Sequence, residues 1–153
     1  MRKLLRKKEI RELKGLLKEE VLKNAKFEQF KDDDGEFVFA DAVPLLFKYN
    51  NKWILTLHSL IKESNEIQYK EVVVDAGAIK FVANGADIMR PGITKIDKEI
   101  SKDEIIIVRE ETHNKPLALG LAIFSGQDMN SATSGKVVKS IHYIGDSIWN
   151  KKL

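Results

Sequence analysis

The sequence has no cysteine, and its longest apolar runs are short: Ile105 to Val108, and Leu117 to Phe124 with small residues inside. Without cysteine there are no disulfides, thiolate metal sites or thiol nucleophiles, which fits a reducing, cytoplasmic setting. Neither run approaches the ~20 apolar residues of a membrane helix, so no membrane partner is expected. The start, Met1-Arg2-Lys3-Leu4-Leu5-Arg6-Lys7-Lys8, has the charge of an export signal but no apolar core behind it. Catalytic fingerprints are missing as well: there is no GxGxxG, no P-loop and no GxSxG elbow. His58, His113 and His142 lie far apart, without paired ligand spacing, so neither metal nor cofactor is implied. Glu110 and Glu111 are adjacent carboxylates that point apart in extended chain, as in a solvated turn. The chain is expected not to be an enzyme.

What is present supports a folded chain. Its 153 residues are 43% hydrophobic and 32% charged, enough for one ordinary domain or two small ones sharing a core. The net charge of +3 hides an uneven distribution. Residues 1–31 hold eleven Lys/Arg against five Asp/Glu, whereas residues 32–153 hold fifteen against eighteen. A polyanion such as RNA is the natural partner for the basic segment.

Arg2 to about Lys26 reads as a proline-free helix with Ile10, Leu13, Leu17 and Val21 on one face and Lys7, Arg11, Lys14 and Lys18 on another. Gly15 bends or divides it. The basic stripe could touch phosphate, but a face of lysines standing in water is the simpler reading. Lys31-Asp32-Asp33-Asp34-Gly35 is turn chemistry without the spacing of a calcium loop. Strands are expected at Glu36–Ala40, Pro44–Tyr49 and Lys52–Leu57, with Asn50-Asn51 as a tight hairpin. A short helix at Leu57–Glu63 then precedes the polar stretch Ser64–Lys70, the candidate domain boundary. Beyond it the pattern predicts a strand at Glu71–Val74 and a helix over Ala76–Ala83, capped by Asp75 and ended by Asn84-Gly85. Further strands are expected at Asp87–Arg90, Glu104–Arg109, Leu117–Phe124 and Val137–Ile144. The third is apolar on both faces, as in a closed or covered small barrel.

The stretch from Asp75 to Ile93 carries the most chemistry. Gly77, Lys80 and Asn84 share one helix face, and Ala78, Phe81 and Val82 form an apolar one. Gly85 permits close approach of a ligand to main chain, and Arg90-Pro91-Gly92 has the residues of a type II turn with free amides. Those amides with Lys80 and Arg90 would make a phosphate cradle, although a helix cap and an ordinary turn explain the same glycines. Phe81 and Trp149 look like core, while Tyr143 is open between packing and base stacking.

Two stretches resemble a known module. Gly77-Ala78-Ile79-Lys80-Phe81-Val82 with Gly85-Ala86-Asp87-Ile88-Met89-Arg90-Pro91-Gly92, and Ile141-His142-Tyr143-Ile144-Gly145-Asp146-Ser147-Ile148-Trp149, are similar to the PUA domain. The chain as a whole resembles the malignant-T-cell-amplified-sequence family of pre-PUA plus PUA translation factors. The resemblance implies an α+β fold: an N-terminal α/β pre-PUA domain over 1–69, then a small mixed β-barrel with short helices over 70–149. It also implies non-catalytic RNA binding in translation, at the tRNA acceptor end or small-subunit ribosomal RNA. The small ribosomal subunit and another translation factor would be further partners, and nothing demands more than a monomer. By position the RNA face would comprise Lys80, Phe81, Asn84, Gly85, Ala86, Arg90, Pro91 and Gly92, with Lys139, Ser140, His142 and Tyr143 from the last strand. The family often carries a second glycine before that strand, where this chain has Gly135-Lys136-Val137, and Arg90 is more basic than is usual there. An accessory factor in rRNA or tRNA modification, or in ribosome assembly, is the alternative that the same resemblance allows.

Overall fold

The computed structural model describes residues 1–62 and 69–153, so most of the expected boundary stretch, and Glu63 at the end of the expected helix, lie outside the described residues. The chain divides into two compact units, Met1–Gln68 with Ser147–Leu153, and Tyr69–Asp146.

The first unit comprises β1 (Arg2–Leu4), α1 (Lys7–Arg11), α2 (Glu19–Asn24), β2 (Phe27–Asp32), β3 (Gly35–Ala40), β4 (Val43–Tyr49), β5 (Lys52–Leu55) and α3 (Leu57–Lys62). Its strands form an antiparallel meander in chain order. Consecutive residues of β3 and β4 are buried, among them Phe37, Val38, Phe39, Leu45, Leu46 and Phe47, so the middle of this sheet is covered on both faces. Asn50 and Asn51, at φ 49° and 62°, make the expected tight hairpin. The long helix expected over 2–26 does not form. Arg2–Leu4 pair with β2 instead, Lys3 lying opposite Gln29. Helical turns run from α1 on to Leu17, interrupted at Gly15, whose φ is +94°. The cause is burial. Leu5, Leu13, Leu17 and Phe27 all enter the core, and one straight helix of 25 residues, roughly 37 Å long, would carry its ends away from it.

The last residues complete this unit. The Trp149 ring stacks on His58 of α3, with centroids 3.6 Å apart and planes 14° from parallel. His58 Nε2 is 2.8 Å from the Trp149 carbonyl oxygen, which assigns the proton to that nitrogen. Lys151 donates to Asp32 at 2.9 Å and also to Asp34, and its Nζ stands 5.1 Å from the Phe37 ring centroid. Burial disfavours its charge, but the bonds it donates to Asp34 and Asp32 outweigh this and hold its pKa above the ordinary lysine value. Reciprocally, the Lys151 hydrogen bond holds the Asp32 carboxyl below its ordinary range. A depressed carboxyl contributes stability above its unfolded pKa of about 3.9 and loses it as pH falls through the folded value. Lys151→Met should therefore melt below the wild type at pH 7. That gap should shrink as pH drops from about 4 towards 2, which thermal melts across pH will check.

The second unit runs β6 (Glu71–Val74), α4 (Ala76–Val82), β7 (Ile88–Met89), a 3-10 turn at Arg90–Gly92, β8 (Ile93–Ile96), β9 (Ile105–Glu110), β10 (Pro116–Ala122), α5 (Gly126–Ser131) and β11 (Lys136–Tyr143). The sheet order is β7-β11-β10-β9-β6-β8, with β6 and β9 parallel. Its two end strands are joined by the single turn Arg90–Gly92, so the sheet is a nearly closed barrel, as expected. Ala118, Leu119 and Ala122 of β10 are fully buried, in keeping with a strand covered on both faces. Inside lie Val72, Val74, Val82, Ile88, Ile106, Val108, Met129 and Val138. The solvated reading of Glu110 is corrected, since it is only 5% exposed and accepts bonds from the His113 and Lys115 amides. Burial raises its pKa, yet those amides more than offset the effect and lower it. The sequence patterns did not disclose α5. Its first residue, Gly126, sits so close to the β8–β9 connection that an added Cβ would lie 2.2 Å from the Asp97 carbonyl oxygen. Backbone cannot yield as a side chain can. Gly126→Ala should cost about 3 kcal/mol, the upper part of the usual overpacking range, read as a lower urea midpoint at unchanged slope.

Candidate nucleic-acid interface

The candidate interface is built on α4. Asp75 caps it by accepting from the Ala78 amide at 2.9 Å, and Gly85, at φ +90°, lets the chain turn away from its end. Ala78 and Val82 face the barrel, whereas Gly77, Lys80, Phe81 and Asn84 are exposed. Phe81 is 64% exposed, which corrects its reading as core. It stands four residues after Gly77 and therefore on the polar face.

Between α4 and the β7 turn lies a cleft of about 800 Å³. Phe81, Met89 and Pro91 line it with Gly77, Gly92 and Lys136, so carbon dominates its walls and a cation stands at its border. Met89 is 51% exposed. Close packing brings β11 beside α4. A Cβ on Gly85 would lie 2.7 Å from Tyr143 Cε1, so only glycine lets that half-buried ring approach the loop. Asp87 extends the link, its Oδ1 accepting from the Ser140 amide at 2.8 Å and its Oδ2 lying 3.3 Å from Lys136 Nζ. The loop after α4 thus meets β11 through Gly85 at Tyr143 and through Asp87 at Ser140, while Phe81, Ala86, Pro91 and Gly92 line the cleft with Lys136. Among the described residues no three His, Asp or Glu side chains gather as a metal site, and no helix is long and apolar enough to cross a membrane.

Residues 70–144 match the model of the PUA domain, and residues 1–63 match that of a domain of unknown function, DUF1947. The chain is 39% identical to the uncharacterized protein MJ1432 of Methanocaldococcus jannaschii, over 99% of this chain and 96% of that one. It is 31% identical to translation machinery-associated protein 20 of Schizosaccharomyces pombe, over 90% of this chain and 78% of that one. The chain belongs to the translation machinery-associated protein 20 family. Malignant T-cell-amplified sequence 2 of Homo sapiens is also similar, with 37% identity over 52% of this chain and 45% of that one. The resemblance read from the sequence stands.

Within this PUA domain several expected ligand contacts are already occupied. The Asn84, Gly85 and Ala86 amides donate to the carbonyls of Phe81, Val82 and Phe81, and of the turn amides expected to cradle phosphate, those of Arg90 and Ile93 donate to the Gly135 and Arg90 carbonyls. Arg90-Pro91-Gly92 forms a 3-10 turn rather than a type II turn. The Arg90 guanidinium turns inward, donating from Nε to the Met129 carbonyl at 2.7 Å and from Nη1 to the Ile93 carbonyl at 3.1 Å. Its role is to hold the barrel seam. His142 is fully buried, with Nδ1 2.9 Å from Asp146 Oδ2, so it positions the end of β11 and presents no surface. Val137 is buried too, and the chain approaches main chain at Gly135, whose carbonyl accepts from the Arg90 amide at 2.8 Å.

Met89 and Lys136 were not singled out from the sequence. The register pairs them across β7 and β11, and that pairing has no local sequence signal. Arg90→Met strands two carbonyls and should cost about 2–3 kcal/mol of stability. It should leave the salt dependence of RNA binding unchanged. Denaturant titration and filter binding of the same variant separate these effects.

Proposed function

We propose that this chain is a non-catalytic, cytoplasmic RNA-binding protein of the translation apparatus, acting as a monomer on the tRNA acceptor end or small-subunit ribosomal RNA. The observation that carries the reading is Phe81, a largely exposed aromatic ring on the rim of a carbon-lined cleft, with Lys80 beside it in sequence and Lys136 on the lining. A soluble helix gains nothing from an aromatic ring in water, whereas an unpaired base gains a stacking surface there. The lysines then hold the backbone on either side of the base. Lys139, on the exposed side of β11, and Asn84 extend the polar border. Gly85, Ala86, Pro91 and Gly92 shape the approach, Ser140 and Tyr143 support it, and Met89 widens the apolar wall.

The family relationship supports the setting. The S. pombe relative is named for its association with the translation machinery, and its similarity extends over nine-tenths of this chain. The inward bonds of Arg90 and the burial of His142 leave these two behind the interface, where they shape it without touching RNA.

Phe81→Ala should weaken binding to tRNA bearing an unpaired 3′ end by about 1–3 kcal/mol, the range for one stacked base. Lys80→Ala and Lys136→Ala should each lower the slope of log K against log salt by about 0.7. Fluorescence anisotropy over a salt series measures both. Unchanged affinity in all three variants would exclude this cleft as the binding site.

A further inference from the structure

The chain has no cysteine, so its sulfur is confined to three methionines, and the fold treats them differently. Met129 of α5 is fully buried in the barrel core. Met1 begins the first unit, its ammonium group donating to the Lys31 carbonyl at 2.7 Å. Met89 stands half-exposed on β7 and lines the cleft with Phe81 and Pro91. A thioether packs much as a hydrocarbon does, but its sulfur carries lone pairs that an oxidant reaches once the side chain meets solvent. Leucine would give a similar wall without that chemistry.

The neighbour of Met89 offers the oxidised form a partner. Lys136 lies opposite it in the β7–β11 register, and residues so opposed share a sheet face, with Cβ atoms about 5 Å apart. The Lys136 ammonium group lies 3.3 Å from Asp87 Oδ2 and is half-exposed. An ammonium group has three donors, so one carboxylate contact leaves it able to meet a second acceptor. Methionine sulfoxide supplies such an acceptor, an oxygen on sulfur that makes the side chain polar. Oxidation would set a dipole where the cleft now presents carbon, and would draw Lys136 away from a phosphate.

We propose that Met89 is a site of reversible oxidation by peroxides, and that its sulfoxide weakens the hold of the cleft on an unpaired base. The inference rests on the reading of this cleft as the RNA site. In the step, the Met89 sulfur attacks one peroxide oxygen and the O–O bond breaks. The transferred oxygen gives up its proton to the departing hydroxide, which leaves as water. The thioether is oxidised by two electrons and the peroxide is reduced. Two thiols of a sulfoxide reductase system reverse the change, yielding the thioether, a disulfide and water. Burial shields Met129 from the same reagent.

The test treats the full chain with hydrogen peroxide, maps the added oxygen by peptide mass spectrometry, and measures affinity for tRNA bearing an unpaired 3′ end. Met89 should gain oxygen well before Met129. Affinity should fall about tenfold, as when a polar group is set against an apolar contact. Methionine sulfoxide reductase with dithiothreitol should restore it. Met89→Leu, whatever its own affinity, should bind equally before and after peroxide, even with Met1 oxidised. Met89→Gln, which places a polar group at similar reach, should bind without treatment as weakly as the oxidised wild type. Oxidation of Met89 with affinity unchanged, while Phe81→Ala still weakens binding, would overturn the inference and leave the cleft standing as the RNA site. So would Met89 reacting no faster than Met129, or an equal peroxide response in Met89→Leu. Full affinity of untreated Phe81→Ala would instead remove the cleft as the RNA site, and this inference with it.

Discussion

The barrel of the second unit closes at one side chain. Arg90 sits where the two ends of a six-stranded sheet meet, and its guanidinium bonds the carbonyls of Met129 on α5 and Ile93 on β8. Its own amide bonds Gly135, just before β11. Donors from one residue fix the start of β8, α5 and the approach to β11 together. A charged donor suits the position because its fork reaches a helix carbonyl and the carbonyl at the start of a strand at once. With the seam fixed, β11 lies along β7, Tyr143 reaches Gly85, and α4 is held so that Phe81 projects outward. The apolar cleft is a consequence of that closure.

Much of the second unit was legible in the sequence because its signals are local. Asp75 and Gly85 punctuate α4 by side-chain capping and by backbone freedom, both of which act within a few residues. The apolar run of β10 reported a covered strand because burial on both faces leaves no alternation to see. The first thirty residues misled for the opposite reason. Their helix propensity is genuine, but Leu5, Leu13, Leu17 and Phe27 are each claimed by one core, and tertiary burial bends the chain to reach it.

The site was legible in outline and wrong in detail. Placing Lys80, Gly85 and the last strand together needed only the family pattern. Whether a given cation was free depended on partners far along the chain. Arg90 meets Met129, thirty-nine residues on, and no local spacing announces that bond. Phe81 was misassigned because an aromatic between Ile79, Lys80 and Val82 looks like core until the exact helix phase is known.

The clasp made by Trp149 and Lys151 also bears on how the protein is made. His58 waits for Trp149, and Asp32 and Asp34 wait for Lys151, across roughly a hundred residues of intervening chain. At synthesis rates of about 5–20 residues per second, that delay is roughly 5–20 s. The barrel, whose residues are contiguous, can close first. The half that emerges earliest is therefore the half that matures last, an inversion of the usual order in which nascent domains settle.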